Sequence, residues 1–119
     1  MDLKDNVIVE KSFNFAKRIV NLRKCLITDN NEYVLSNQIL KSGTSIGANV
    51  FEAQSAQSNA DFLSKMKIAL KEATETLYWL MLLYETEYIS PKAFDSLKDD
   101  LDDIRNILGS ICKTTQNNL

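Results

Sequence analysis

Glu72 and Glu75 stand three residues apart, about one helical turn, so two carboxylates on one helix face could divide acid and base roles between them. Such chemistry needs the two groups to flank a substrate in a cleft, and no cleft is legible in the surrounding sequence. Gly43-Thr44-Ser45-Ile46-Gly47 invites comparison with a phosphate loop. It lacks the GxxxxGK[ST] spacing and its lysine, and no strand precedes it. Cys25 and Cys112 belong to no CxxC pair, and two thiols cannot close a zinc site unaided. The chain contains no histidine. That removes Ser-His-Asp and Cys-His catalysis, the HExxH motif and the Glu-x-x-His ligands of di-iron helical proteins. The chain is therefore expected to be no enzyme and to carry no cofactor and no metal.

The elements that position these residues are helical. Phe13, Ala16, Val20 and Ile27 form one apolar stripe at helical spacing, and Phe15, Ile19, Leu22 and Leu26 a neighbouring one. They predict a first helix over 7–27, broken by Thr28-Asp29-Asn30-Asn31, residues that favour turns. A second helix is predicted over 32–57, with Leu35, Ile39, Ile46, Val50 and Ala53 facing the core. Gly43 and Gly47 inside it cost about 1 kcal/mol each relative to Ala. Four residues apart, they share a face and offer a smooth strip for another helix, a kink at Gly43 being the competing reading. Ser58 or Asn59 caps a third helix over 59–87, whose main stripe is Phe62, Met66, Ala69, Ala73, Leu80 and Leu83 or Tyr84. Ser90-Pro91 announces a fourth over 91–113. Its seam is Phe94, Leu97, Leu101, Ile104, Leu108 and Ile111, its outer face is acidic, and the tail from Thr114 is expected to fray.

The 119 residues suffice for one core, and three glycines with one proline argue against an all-β or disordered chain. Short connections predict an all-α, antiparallel up-down-up-down four-helix bundle filling a single domain, 1–119. Cys25 and Cys112 then lie at opposite ends, so no disulfide joins them. The same pairing sets Lys41 opposite Glu75, Thr44 and Ser45 near Glu72, and Asn49 near Lys67. These groups read as interhelical polar contacts fixing register, the alternative being a polar pocket for a small ligand.

The run from Leu77 to Tyr84 is apolar on every side, more than one bundle face requires. Leu77, Tyr78, Trp79, Met81 and Leu82 are therefore candidates for a subunit interface or partner surface. The run is far shorter than the ~20 residues that span a bilayer. Met1-Asp2-Leu3-Lys4-Asp5 has neither the basic start nor the apolar stretch of a signal peptide. A cytoplasmic protein without a membrane partner is expected. The net charge of −2 argues against a dedicated nucleic-acid binder.

One segment is more specific than composition. Lys41-Ser42-Gly43-Thr44-Ser45-Ile46-Gly47-Ala48-Asn49 is followed by Glu52-Ala53, Ala56, Ser58, Asp61-Phe62, Ile68-Ala69-Leu70-Lys71-Glu72-Ala73, Glu75-Thr76 and Tyr78-Trp79-Leu80. In these residues the chain closely resembles the four-helix bundle proteins found in the intervening sequences of some bacterial large-subunit ribosomal RNA genes. The resemblance covers nearly the whole chain and is densest over the middle two helices. It implies a ring-like homopentamer. It also implies a link to the accessory proteins of diversity-generating retroelements, pentameric barrels that bind a reverse transcriptase and its nucleic acid. Those proteins tend to be strongly basic; this chain is acidic.

Lys11, Lys17, Arg18, Arg23 and Lys24 on the first helix, and Lys65, Lys67 and Lys71 on the third, read singly as solvated faces. Repeated around a ring, they become candidates for weak RNA or DNA binding through avidity. The function expected is that of a non-enzymatic, homo-oligomeric accessory protein. The alternative is a weak nucleic-acid binder acting with a reverse transcriptase or RNA partner.

Overall fold

The computed structural model describes residues 6–119; the Met1–Asp5 stretch considered above as a leader lies outside them. Four helices account for the fold, α1 (Val7–Asn30), α2 (Val34–Ala53), α3 (Asn59–Glu85) and α4 (Pro91–Asn117). No strand occurs among the described residues. None of their helices is long and apolar enough to cross a membrane.

Three helix starts are capped by side chains, and all three capping residues are short and polar. Asn6 accepts from the Val9 N–H, Ser58 from the Asp61 N–H and Ser90 from the Ala93 N–H, with Pro91 at the first helical position of α4. The α2 start lacks a cap at Tyr33. There the Glu32 carboxylate accepts the Ser36 N–H at 2.8 Å.

The ends differ from expectation for identifiable reasons. α1 runs three residues beyond 27 because only Asn31, of the polar run 28–31, takes the left-handed conformation (φ 53°). Asn31 N–H then bonds Ile27 O, the closure of a left-handed cap, and Glu32 N–H bonds Leu26 O. α2 stops at Ala53 rather than 57. The carbonyls of Phe51, Glu52 and Ala53 are taken by N–H groups three residues on, tightening the chain into the turn. α3 ends at Glu85, with Glu87 left-handed (φ 67°) and Tyr88 N–H bonded to Leu83 O. α4 does not fray at 114. It continues to Asn117, with Cys112 buried and Lys67 of α3 holding the Gln116 side chain at 3.3 Å.

Each helix packs on its neighbour in sequence, and α1 also packs on α4; α1 does not meet α3, nor α2 meet α4. A 27-residue helix is about 40 Å long, so the longest lie along the 46 Å dimension of a 46 × 24 × 23 Å molecule. Asn6 meets Gln54 and Arg23 meets Asn37; Lys65 meets Glu52 and Thr76 meets Ser42. The core takes Phe15, Ile19 and Leu26 from α1, and Ile39, Ile46 and Val50 from α2. α3 adds Met66, Ala69, Ala73, Leu80 and Leu83, and α4 adds Leu97, Leu101, Ile104 and Leu108. Phe15, Ile19 and Leu26 thus turn inward, while Phe13 and Val20 of the other α1 stripe are exposed.

The two α2 glycines set the α1–α2 spacing, and α2 continues through both as one helix. A Cβ on Gly43 would sit 2.9 Å from both γ-carbons of Ile19, and one on Gly47 would sit 3.2 Å from the Ser12 carbonyl oxygen. Ile19 is fully buried and β-branched, so it has no room to yield. Gly43→Ala gains helix propensity but overpacks the seam, and a net loss of about 1–2 kcal/mol in urea unfolding is expected. Combining it with Ile19→Ala should give less than the sum of the two losses, because the colliding γ-carbons are then gone. At the α3–α4 turn the expectation has the opposite sign. Glu87→Gly relieves a left-handed residue with a side chain and should raise stability by roughly 0.5–1 kcal/mol, read as a higher urea midpoint.

Candidate interaction surface

α3 exposes part of its apolar run and buries the rest. Leu80 and Leu83 are in the core, and Leu77, Trp79 and Leu82 are half-buried. Tyr78 and Met81 face outward, 59% and 47% exposed. Of the five residues predicted as an interface, the structure thus presents two fully and assigns the other three partly to the fold. Tyr78 packs against its neighbour. Trp79 Nε1 donates to Glu75 Oε2 at 3.3 Å, and the Tyr78 ring meets the Trp79 ring edge-on with centroids 5.0 Å apart.

A second apolar face lies on α1, along the Phe13 stripe. Phe13 (49% exposed) and Val20 (37%) flank Lys17, whose ammonium sits 5.7 Å from the Phe13 ring centroid. With Ala16 and Asn21 these residues line a shallow groove of about 340 Å³. The stripe pattern was visible in the sequence; which of the two stripes faced solvent was not.

The polar residues expected to bond across α2 and α3 bond mainly within their own helix. Thr44 Oγ1 donates to Leu40 O at 2.7 Å, Ser45 Oγ to Lys41 O at 2.6 Å and Asn49 Nδ2 to Ser45 O at 2.8 Å. Each is a hydroxyl or amide whose i−4 carbonyl lies within easier reach than the neighbouring helix. Lys41 and Glu75 are exposed and form no ion pair with each other; Glu75 holds Trp79 instead. Lys67 reaches α4 rather than Asn49, and Glu72 supplies its carbonyl, not its carboxylate, to Thr76. The buried polar link between α2 and α3 is one the sequence did not single out. The Ser42 and Thr76 hydroxyls lie 3.0 Å apart, both wholly buried. Small residues at these positions let the helices close over a satisfied hydrogen bond.

The eight cations considered for nucleic acid do not form one patch, since α1 and α3 do not touch. Lys11 pairs with Asp103 at 2.7 Å, and that hydrogen bond pushes the Lys11 ammonium pKa upward. Arg18 donates to Asp100 at 2.6 Å and to Ser96 at 2.9 Å. Arg23 holds Asn37, and Lys65 lies 3.6 Å from Glu52. Among the described residues Lys17, Lys24 and Lys71 have neither a hydrogen bond nor an ion pair.

Chemistry-bearing groups are scattered. Among the described residues no three His, Cys, Asp or Glu side chains gather as a metal would require. Cys25 is an exposed free thiol on α1, and Cys112 a buried one on α4. Burial pushes the Cys112 thiol up, an effect Lys67 partly opposes.

These features define a small all-helical protein whose outward character lies in two apolar helix faces. The family follows from comparison: residues 4–110 match the 23S rRNA-intervening sequence protein family, and the chain belongs to it. The chain is similar to a crystal structure from Bacteroides thetaiotaomicron, a protein with unknown function from the S23 ribosomal protein family. The two are 55% identical with a TM-score of 0.88, and the match covers 89% of this chain and 98% of that one. No curated protein matches.

The two thiols should separate cleanly in a colorimetric thiol assay. One equivalent, from Cys25, is expected to react on mixing and the second only after unfolding in urea. The folded pKa of Cys112 lies above its unfolded value. Its neutral form therefore supports the fold fully below the usual thiol range, and that support is lost as pH climbs through the raised value. Cys112→Ala should flatten this alkaline loss of stability.

Proposed function

We propose that this chain is a non-catalytic, homo-oligomeric interaction protein built as an antiparallel, up-down-up-down four-helix bundle. The opposed residue numbering at the α1–α2 and α2–α3 contacts supports the topology. The family resemblance carries the expectation of a pentameric ring. A cytoplasmic accessory role in a process involving RNA or a retroelement is the reading in best accord with that family. The observation that carries the proposal is the outward placement of Tyr78 and Met81 in an apolar run otherwise committed to the core. An exposed aromatic beside an exposed methionine is the composition of an interface.

Weak binding of RNA or DNA, with a reverse transcriptase or RNA partner, is the second reading. It rests on Lys17, Lys24 and Lys71, which are exposed and unengaged by acidic neighbours among the described residues.

Light scattering on the purified protein decides between them. A mass several times 13.5 kDa, unchanged by a mixed RNA pool, is expected. Tyr78→Glu should lower that mass while circular dichroism keeps its helical signal. A gain of mass with RNA at about 50 mM salt, lost at higher salt, would favour the second reading. A monomeric wild-type protein would overturn the first.

A further inference from the structure

We infer that the two exposed apolar faces are the two halves of one interface. The α1 face of one copy, Phe13 and Val20 with Lys17 and Lys24, seats on the α3 face of the next copy, Tyr78 and Met81 with Glu75 and Glu85. The inference rests on the homo-oligomeric reading and names the surfaces that meet.

Three observations support it. First, the faces are alike in layout. Phe13, Lys17, Val20 and Lys24 follow one helix stripe at steps of four, three and four, and Thr74, Tyr78, Met81 and Glu85 repeat those steps on α3. α1 and α3 differ in this from the other helices. On α2 the large exposed apolar residues, Val34 and Phe51, stand near opposite ends, and α4 exposes none. Second, the faces are opposite in charge. From residue 11 to 24 every charged side chain is basic and from 72 to 85 every one is acidic, with Glu10 and Lys71 the opposite charges one step beyond each stripe. Lys11 and Arg18 are engaged by α4, which leaves Lys17 and Lys24 to face outward. Pairing α3 with α3 would set carboxylates against carboxylates, and pairing α1 with α1 would set ammonium groups together, both repulsive. Only the mixed pairing joins opposite charges around apolar centres. Third, α1 and α3 occupy opposite corners of the molecule and never meet. One chain cannot cover its own faces, but each copy can hold one neighbour on each side. Such a head-to-tail contact closes into a ring when its rotation permits and otherwise extends as a filament.

The test is a charge exchange. Lys17→Glu with Lys24→Glu, and separately Glu75→Lys with Glu85→Lys, should each reduce the light-scattering mass toward the 13.5 kDa chain. All four substitutions together should restore the wild-type mass. A second measurement is independent of those charges. In a Cys25→Ser background, Val20→Cys alone and Met81→Cys alone should give no covalent dimer on oxidation, whereas the two in one chain should give a ladder of covalent multimers. A monomeric wild-type protein overturns both the homo-oligomeric reading and the pairing. An oligomer indifferent to both reversals, or a covalent dimer from either single-cysteine protein, overturns the pairing and leaves the oligomer standing.

Discussion

The approach of α1 to α2 over Gly43 and Gly47 is the constraint on which the arrangement depends. At the Gly43 crossing there is no room for even a methyl group, since its position is already filled by the γ-carbons of Ile19. Two bare positions one turn apart bring the backbones together, and the gain in contact offsets the helix propensity that glycine gives up. The approach also fixes the rotation of α1. With Ile19 against Gly43, Phe15 and Leu26 share its buried face, and Phe13 and Val20 are carried to the outside.

The packing that follows is uneven in chemical character. α2 and α3 meet through apolar side chains and a buried pair of hydroxyls, a link that specifies register because the Ser42 hydroxyl bonds only Thr76, which itself also bonds the Glu72 carbonyl. The α1–α4 side is closed instead by Lys11 with Asp103 and Arg18 with Asp100, all substantially exposed. Exposed ion pairs of that kind contribute little to stability and weaken with salt. They do more to direct charge than to hold the fold. The acids of α4 occupy Lys11 and Arg18 and leave Lys17 and Lys24 as the cations that α1 presents outward.

Much of the architecture was legible because local signals agreed with one another. The four helices, the Ser58 and Ser90 starts, Pro91 and the α4 seam are each set by residues within one or two turns. The Lys41–Asn49 run, together with the spaced matches that follow it to Leu80, placed the family. The rest was hidden for definite reasons. Phe13-Ala16-Val20-Ile27 and Phe15-Ile19-Leu22-Leu26 are both good helical stripes, and period alone cannot say which one a neighbouring helix covers. The polar pairs expected between α2 and α3 failed because hydroxyl and amide groups in a helix find their own carbonyls first. Ser42 and Thr76 were missed because two small hydroxyl residues within apolar stripes look like spacers. The ends of α1 and α2 depended on which of several polar residues turned left-handed or tightened, a choice settled by the following helix.

Asn6 is tied to Gln54 in the turn after α2, and Gln116 near the end of α4 is tied to Lys67 in the early turns of α3. The two ends of the described chain therefore leave from the same pole of the molecule. A domain or tag carried on either end would trail from that pole, like a load hung beneath a column. The long flanks, on which α1 and α3 lie, would stay clear of it.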